Sequence, residues 1–300
     1  MLNFRPITID DKETVQPFFD KSIFGNCDFS FSNILSWKHL YNTAFTVEDG
    51  FLYIRFQSPD DSSCYLFPLG DGDLKKALEQ IKQDAQERNN PFMLCAITQA
   101  MFNRIENVMP GLFVYETERN WYEYIYSAGD LISLAGRKYQ AKRNHINKFK
   151  RTYSWEYLPI TKDIIPDCLN LYERWNIENR GYNSERSLRE EKIATQKAFD
   201  NYERLGLTGG ALRINGEILA YSYGQPLGKD TFGIHAEKCL YEIDGGFAMI
   251  NQQFAEHNCA GYLYINREED LGIDTLRKAK MSYHPVMLLE KGRVMRKTEN

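Results

Sequence analysis

Apolar and polar positions along the chain follow two spacings, one typical of half-buried strands and one typical of amphipathic helices. In the first half this pattern predicts strands at 2–8, 63–68 and 92–97, helices at 10–22, 30–42, 73–89 and 99–107, a hairpin of 44–48 and 51–57, and long strands across 112–127. In the second half it predicts strands at 155–161, 230–238, 261–266 and 284–297, helices at 163–179, 186–204, 245–258 and 272–281, and a hairpin of 207–214 and 217–225. Both halves have the order β-α-α-β-β-β-α-β-α-β, so we predict an α/β (α+β) chain made of two copies of one unit.

A short repeat and two turn signals support this division. The string Phe-Arg-Pro-Ile-Thr at 4–8 recurs as Tyr-Leu-Pro-Ile-Thr at 157–161, and each copy precedes an amphipathic helix. Asp49-Gly50 and Asn215-Gly216 mark the two predicted hairpins, because such pairs accept the positive φ angles of a tight hairpin turn. The two halves therefore share both element order and local sequence.

The most basic segment of the chain lies between the two halves. Residues 137–151 hold seven lysines and arginines, no acid, and no proline or glycine, which predicts a helix. This helix is either a solvated linker or a cradle for a phosphate, a diphosphate or an RNA backbone. We predict an N-terminal domain at 1–135, a basic linker helix at 136–153 and a C-terminal domain at 154–300, the C-terminal domain being the active one.

Composition and charge exclude several classes of protein. The 300 residues are 43% hydrophobic and 26% charged with a net charge of −4, which is typical of a globular protein and argues against nucleic-acid binding over the whole surface. The six cysteines contain no CxxC pair, so a zinc ribbon and a disulfide framework are excluded. With no secretory signal and no apolar window of about 18 residues, we expect a cytoplasmic chain without a transmembrane helix.

A glycine turn in the second half is a candidate phosphate site. The string Asp244-Gly245-Gly246 joins the strand that ends near Lys238 to an apolar helix. Glycines let a ligand approach the backbone, and the N–H groups at the start of a helix favour phosphate. A plain turn with a helix cap explains the same residues.

A charged run follows the next predicted strand. Asn266-Arg267-Glu268-Glu269-Asp270 lies directly after that strand, where open α/β sheets place their ligand sites. A carboxylate of this run could act as a general base toward an amine nucleophile. Alternatively, the acids stabilise the start of the helix predicted from 272.

Other polar residues add weaker signals. His235 and Glu237 are predicted to share one face of a strand, either as an acid–base pair or as a solvent-facing edge. Arg180, in the loop between two predicted helices, is a candidate for the acceptor side of a cleft. The sequence contains no G-x-S-x-G elbow, Walker A or GxGxxG motif, and its other histidines lack ligand spacing, so we expect no metal.

The element order with its glycine turn resembles the GNAT (acyl-CoA N-acyltransferase) fold. Two fused copies resemble the Fem-type aminoacyl transferases and the C-terminal catalytic domain of phosphatidylglycerol lysyltransferase. Three strings resemble DUF2156, an uncharacterised family related to that domain. They are Asp-Phe-Ser-Phe-Ser-Asn at 28–33 with Trp37, the basic string at 136–149, and the string from 266 to 285 that ends in Ser-Tyr-His-Pro.

The resemblance implies a donor that is an acyl-CoA or an aminoacyl-tRNA. The residues that would hold donor phosphate are Lys238, Asp244, Gly245 and Gly246, although the usual GNAT glycine string is not matched, which counts against CoA. The residues that would bind substrate are Arg137, Lys138, Lys142, Arg143, Asn144, Arg180, Asn266 and Arg267. The implied partners are a tRNA and either a small amine or an anionic lipid headgroup, with peripheral membrane contact.

We therefore expect an acyl or aminoacyl transferase, in which an amine or hydroxyl attacks an ester or thioester carbonyl. Glu237, Glu268 or Asp270 would supply the base, and Tyr283 would protonate the leaving group. Two alternatives stay open. One is a CoA-dependent N-acetyltransferase of small molecules, and the other is a non-catalytic module that binds RNA or a membrane.

Overall fold

The computed structural model describes residues 2–21, 25–57, 62–179 and 184–297, and the chain divides into two compact units. The first unit is Met1–Glu123, Glu269–Ile273 and Leu288–Asn300, and the second unit is Tyr124–Glu268 and Asp274–Met287. The basic segment thus belongs to the second unit. This grouping differs from the predicted domain boundaries, which remain a prediction.

Strands and α-helices alternate through both units, as the repeated element order predicts. The strands are β1 (Arg5–Pro6), β2 (Ala44–Glu48), β3 (Phe51–Gln57), β4 (Ser63–Tyr65), β5 (Leu69–Gly70), β6 (Met93–Thr98), β7 (Phe113–Thr117), β8 (Glu123–Ser127), β9 (Trp155–Pro159), β10 (Thr208–Ile214), β11 (Glu217–Pro226), β12 (Thr231–Cys239), β13 (Tyr264–Asn266), β14 (Met287–Leu289) and β15 (Lys291–Arg296). The helices are α1 (Lys12–Asp20), α2 (Phe31–Ser36), α3 (Lys38–Tyr41), α4 (Leu74–Glu87), α5 (Gln99–Val108), α6 (Ala128–Ser133), α7 (Gln140–Thr152), α8 (Ile165–Glu178), α9 (Glu185–Asp200), α10 (Tyr202–Leu205), α11 (Gly246–Asn258) and α12 (Asp274–Met281). Within the described residues, none of these helices is long and apolar enough to cross a bilayer.

Helix α4 shows how the sequence pattern produces the core of the first unit. Its buried side chains include Ala77, Leu78, Ile81 and Ala85, which recur at the three- and four-residue spacing of one helix face. The Asp73 side chain accepts hydrogen bonds from the first backbone N–H groups of the helix. Periodicity and cap together therefore fix where this helix begins and which face it buries.

A strand from the C-terminal end of the chain completes the first sheet. Among the described residues, its strands lie in the order β1-β2-β3-β4-β6-β15-β7, with β5 beside β3. β4 and β6 pair in parallel, whereas β15 pairs antiparallel with both β6 and β7. The strands predicted at 284–297 are β14 and β15, and they belong to different sheets.

The second sheet positions the candidate site. Its described strands lie in the order β14-β8-β13-β12-β11-β10-β9. β12 pairs in parallel with β13 only from Thr231 to Gly233, and then continues to Cys239 without further pairing to β13. Ala236 is opposite Tyr223 and Ile234 is opposite Gly224, so His235 is the extra residue of a β-bulge in β12.

Both predicted hairpin turns are confirmed. Asp49 and Gly50 have φ angles of 48° and 78°, and Asn215 and Gly216 have φ angles of 51° and 94°. Positive φ at both central residues is the geometry of a type I′ turn, which matches the twist of the strands it joins. The turn residues alone therefore locate the hairpins β2–β3 and β10–β11.

The prediction of long strands across 112–127 is only partly right. β7 and β8 occupy much of this range, but they lie in different sheets and a 3-10 helix at Arg119–Trp121 separates them. Helix α6 follows β8 directly and was not predicted. Its N-cap is Ser127, whose hydroxyl accepts a hydrogen bond from the Asp130 N–H. A run this short has too few turns to show helical periodicity.

The predicted basic helix is confirmed. A 3-10 helix at Arg137–Tyr139 leads into α7, which buries Ile146 and Phe149 and leaves most of its basic side chains exposed or half-buried. α7 packs against α11 and α11 against α6. The helix is thus a packed element of the second unit whose basic side chains stay at least partly accessible.

Candidate functional site

Two side-chain pairs, one of them an ion pair, join β12 to the residues that follow β13. The Arg267 Nη2 group donates a hydrogen bond to Glu237 Oε1 at 3.0 Å, and His235 Nδ1 lies 2.8 Å from Glu268 Oε1. Glu237 lies two residues after His235, and Arg267 directly precedes Glu268, so the two pairs are neighbours along both segments. We call these four residues the β12–β13 site. It brings together three of the predicted site residues.

The Glu237–Arg267 pair is buried. Only 11% of the Glu237 side chain and 12% of the Arg267 side chain are exposed. The guanidinium carbon lies 4.9 Å from the ring centre of Tyr283 and 5.6 Å from that of Tyr126. Burial by itself lowers the pKa of Arg267, but Glu237, Tyr126 and Tyr283 together outweigh it, so the pKa is raised. The arginine is therefore held as a cation between aromatic rings.

The backbone after β13 is held in a strained form that aims these side chains. Glu268 has a φ angle of 56°, in the left-handed region that disfavours side chains other than glycine. Asn266 Oδ1 accepts a hydrogen bond from the Glu268 N–H at 2.8 Å. The buried Lys280 ammonium donates to the carbonyl oxygens of Arg267 and Glu268 at 2.5 and 3.1 Å. Asn266, predicted to bind substrate, thus also orients Glu268.

Lys142 and Tyr283, both predicted site residues, lie together beside Arg267. The Lys142 ammonium donates to Ser282 Oγ at 2.7 Å and lies 3.8 Å from the ring centre of Tyr283. Burial, together with the charge of Arg267, lowers the pKa of Lys142 to about 8. Tyr283 is buried, and Tyr139 donates a hydrogen bond to its carbonyl oxygen. A fraction of Lys142 is therefore uncharged near neutral pH.

Two residues next to Glu237 were missed from the sequence. Asn251 on α11 donates from its amide nitrogen to Glu237 Oε2 at 2.9 Å, and Ser222 on β11 is opposite Glu237 in the strand register. Both side chains are fully buried. The run Asn251-Gln252-Gln253 inside the helix predicted at 245–258 was the available signal for Asn251. No sequence signal pointed to Ser222, because strand register is not visible in sequence.

The glycine turn before α11 is covered by α7. Gly245 has a φ angle of 80°, and a side chain there would come within 2.6 Å of the His145 carbonyl oxygen. A side chain at Gly246 would meet the Cys239 sulfur at 2.4 Å. The Asp244 carboxylate accepts from Lys148 Nζ at 2.5 Å. Close packing explains both glycines, and the assignment of the turn as a phosphate site stays a prediction.

We expect Gly245→Ala to lower the free energy of unfolding by about 1–3 kcal/mol, because the new methyl group meets backbone atoms and the φ angle is left-handed. Gly261→Ala is the matched control, since no atom lies within 4 Å of its new Cβ. Urea unfolding of both variants measures the difference. Equal stability of the two variants would contradict this packing.

Lys238, predicted to hold donor phosphate, contacts residues of α8 and α9. Its ammonium donates to Glu191 Oε1 at 2.7 Å and lies 3.4 Å from the ring centre of Trp175. Glu191 also accepts from the Tyr172 hydroxyl at 3.3 Å. Lys238 is therefore engaged by α8 and α9, and its predicted contact with donor phosphate stays untested.

The remaining predicted substrate residues lie on the basic segment or outside the described residues. Arg143 donates to the carbonyl oxygens of Leu134 and Gly136 and so closes the C-terminal end of α6. Lys138 pairs with Asp130 at 2.9 Å, Asn144 accepts from Gln140 at 2.9 Å, and Arg137 is exposed. Arg180 lies outside the residues that the structure describes.

Asp270, a predicted candidate base, belongs to the first unit. Its side chain is fully buried and accepts from Arg119 Nη1 at 3.3 Å and from the Gly272 N–H at 2.8 Å. These bonds hold the loop after Glu269 in place. The hydrogen bonds of Asp270 thus have a structural role, and its role as a base stays a prediction.

A second charged group lies in the first unit and was not predicted. We call Cys27, Asp28, Glu123, Glu269 and Lys291 the Lys291 cluster. The Lys291 ammonium lies 2.5 Å from carboxylate oxygens of both Asp28 and Glu123 and also pairs with Glu269. Burial raises the pKa of Glu123 to about 7 even though Lys291 lowers it.

The four side chains around Lys291 could also be considered as metal ligands. One ligand atom each from Cys27, Asp28, Glu123 and Glu269 lies within 4.8 Å of the others. The Lys291 ammonium, however, contacts three of these residues, where a cation would bind. The cluster is therefore explained by an internal cation.

Comparison with known proteins relates the chain to one family. The family described as phosphatidylglycerol lysyltransferase, C-terminal, matches residues 22–291. A crystal structure of a conserved protein of unknown function from Bacteroides thetaiotaomicron VPI-5482 is 44% identical, with 99% of this chain and 100% of that chain covered and a TM-score of 0.94. Among curated proteins, none matches significantly.

More distant structures share the fold. The C-terminal domain (DUF2156) of a putative lysylphosphatidylglycerol synthetase from Agrobacterium fabrum is 12% identical, with 95% of this chain and 91% of that chain covered and a TM-score of 0.67. FemX is 9% identical, with 98% of this chain and 96% of the FemX chain covered and a TM-score of 0.65. These similarities confirm the predicted fold class and the predicted resemblance.

Proposed function

This chain belongs to the family of phosphatidylglycerol lysyltransferase C-terminal domains, and from that membership we propose that it transfers an aminoacyl group from aminoacyl-tRNA to a hydroxyl or amine acceptor. The family consists of aminoacyl transferases that use aminoacyl-tRNA. The observation that carries the proposal for this chain is the β12–β13 site. It holds a carboxylate–imidazole pair next to a buried arginine.

The proposed reaction needs a base and a positive charge. The acceptor oxygen or nitrogen attacks the carbonyl carbon of the ester that joins the amino acid to the tRNA ribose. A new C–O or C–N bond forms, the ester bond to the ribose breaks, and one proton passes from the acceptor to the ribose oxygen. The His235–Glu268 pair receives the acceptor proton, because the Glu268 carboxylate orients the imidazole and stabilises its charged form.

Arg267 and Tyr283 act on the other side of the same step. The buried guanidinium stabilises the negative charge that develops on the carbonyl oxygen, an effect that is strong where water is excluded. The Tyr283 hydroxyl is protonated at neutral pH, because the ordinary pKa of tyrosine is 10.0 and burial raises the pKa of Tyr283 further. It can therefore supply the proton that the leaving ribose oxygen needs.

The surroundings of the glycine turn favour aminoacyl-tRNA over acyl-CoA as the donor. In GNAT-type enzymes this turn is expected to bind the donor diphosphate, but here α7 covers Gly245 and the Asp244 carboxylate lies at the start of α11. A carboxylate there repels a diphosphate. The exposed basic side chains of 137–151 offer instead a surface for the phosphates of a tRNA acceptor stem.

Glu268→Gln tests the proposed base. The substitution keeps the size of the side chain but removes the charge that stabilises the imidazolium, so the transfer rate should fall by about 10²- to 10⁴-fold. The assay follows radiolabelled aminoacyl-tRNA in single turnover with phosphatidylglycerol vesicles or with spermidine as acceptor. Glu185→Gln, at an exposed position on α9, is the control and should transfer at the wild-type rate.

Each outcome of this assay is informative. Radiolabel recovered in phosphatidylglycerol identifies a hydroxyl acceptor on a lipid, and radiolabel recovered in spermidine identifies an amine acceptor. An unchanged rate for Glu268→Gln contradicts the role of the β12–β13 site. Acyl transfer from acetyl-CoA alone would replace the proposal by a CoA-dependent N-acetyltransferase. Salt-sensitive tRNA binding with no transfer to any acceptor would replace it by a non-catalytic RNA-binding module.

A further inference from the structure

Three polar atoms around Glu237 have no hydrogen-bond partner among the described residues. They are Ser222 Oγ, Asn251 Oδ1 and Arg267 Nη1. The Ser222 and Asn251 side chains are fully buried. Because buried polar atoms in folded proteins are nearly always paired, three unpaired atoms around one carboxylate need an explanation. Either a ligand or a buried water must complete this group.

The three atoms differ in what they can bind. The Asn251 oxygen only accepts a hydrogen bond, and the Arg267 nitrogen only donates one. The Ser222 hydroxyl can do both. A group that completes all three must therefore carry at least one N–H or O–H and one acceptor oxygen. It must also tolerate the Glu237 carboxylate, which Arg267 and Asn251 already contact at 3.0 and 2.9 Å.

An α-amino group next to a carbonyl has this combination of atoms. Its N–H groups can donate to Asn251 Oδ1 and face Glu237, while the carbonyl oxygen accepts from Arg267 Nη1. A simple acyl group offers only the carbonyl oxygen and leaves Asn251 Oδ1 without a donor. Leaving a buried polar atom unpaired costs much of the binding energy, so such a site rejects the ligand that lacks the amine.

We infer that Ser222, Glu237, Asn251 and Arg267 form a subsite that recognises the α-amino and carbonyl groups of the aminoacyl donor. The inference rests on the proposed function for the identity of that donor. It goes further by assigning two residues outside the β12–β13 site, Ser222 and Asn251, to the choice of an aminoacyl over an acyl group.

Binding of a stable donor analogue tests the subsite. The probe is an aminoacyl-adenosine in which an amide replaces the ester, and its partner is the desamino analogue in which hydrogen replaces the α-amino group. By calorimetry, the wild-type chain should bind the free amine about 10- to 100-fold more tightly than the desamino analogue. Ser222→Ala and Asn251→Ala should each bring this ratio toward one. Asn258→Ala, at the other end of α11, is the control and should leave it unchanged.

The melting temperature separates a ligand subsite from a structural water. If Ser222 Oγ is unpaired without ligand, Ser222→Ala should leave the melting temperature unchanged or raise it. A lower melting temperature together with an unchanged binding ratio would identify a buried water and overturn the inference. Ser222→Ala alone is sufficient to test the subsite if Asn251→Ala does not fold.

Two further outcomes distinguish the subsite from the proposed function. If the wild type and both variants prefer the free amine equally, the proposed subsite is wrong, but the proposed aminoacyl donor is still supported. Binding of neither analogue by the wild-type chain contradicts the aminoacyl donor itself.

Discussion

Arg267→Met should lower the free energy of unfolding by about 3–5 kcal/mol, because it removes the cation that donates a hydrogen bond to the buried Glu237 carboxylate. The two side chains are about equally buried, and Arg267 Nη2 lies 3.0 Å from Glu237 Oε1. Methionine fills a similar apolar volume between Tyr126 and Tyr283. The loss of stability therefore reports the missing charge rather than the opening of a cavity. Urea unfolding at neutral pH gives the value.

Two further variants identify the cause of this loss. In Glu237→Gln combined with Arg267→Met, no charge is left unpaired, so most of the stability should return. Arg213→Met is the matched control, because the Arg213–Glu156 pair on the same sheet is exposed, with 38% and 53% of the side chains accessible, and should contribute about 0–1 kcal/mol. Equal losses for Arg267→Met and Arg213→Met would contradict the buried ion pair.

Lys291→Met should cost about 3–5 kcal/mol of stability at pH 8 and much less near pH 5. The substitution removes the ammonium that contacts Asp28, Glu123 and Glu269. Their carboxylates then repel one another, which raises their pKa values and makes the folded variant hold protons more tightly than the unfolded chain. Stability is therefore retained at low pH and lost as the pH rises.

The wild-type chain has a weaker form of this pH dependence through Glu123. Burial raises its pKa from a usual value of 4.5 to about 7. The folded state holds this proton more tightly than the unfolded state, so its contribution is complete below about pH 4.5 and is lost as the pH rises through 7. Glu123→Gln should flatten the dependence. Lys192→Met is the control, because it breaks an exposed pair with Glu173. A loss of stability in Lys291→Met that does not change with pH would contradict this account.

The local elements of the fold could be predicted from sequence because their signals are short. The pairs Asp49-Gly50 and Asn215-Gly216 locate both hairpins, and the apolar spacing of 73–89 gives α4. The basic helix also followed from composition alone. These features depend on residues a few positions apart, which is the range over which turn geometry and helical periodicity act.

The arrangement of strands could not be predicted because it depends on distant residues. Apolar strings at 112–127 and 284–297 predict strands, but nothing in them shows that β7 and β15 pair in one sheet while β8 and β14 lie in the other. Helix α6 was hidden for a different reason, since six residues are too few to show periodicity. The strand partners thus need the three-dimensional structure.

The candidate site was predicted in part. Arg267 and Glu268 follow from the charged run directly after a strand, and Glu237 follows from its alternation with His235 along a strand, two patterns that are visible in sequence. Ser222 and Asn251 were missed because their relation to Glu237 depends on strand register and on the packing of α11. The bulge at His235 also depends on register. The Lys291 cluster draws its residues from four separated segments, so no local sequence pattern pointed to it.

The identity of the donor is tested most directly by thermal denaturation with three ligands: aminoacyl-tRNA, the same tRNA uncharged, and acetyl-CoA. A ligand that binds only the folded chain adds about 2.7 kcal/mol of stability at one hundred times its dissociation constant. We predict that aminoacyl-tRNA raises the melting temperature more than uncharged tRNA does, and that acetyl-CoA leaves it unchanged. A rise with acetyl-CoA and none with aminoacyl-tRNA would contradict the proposed aminoacyl transfer.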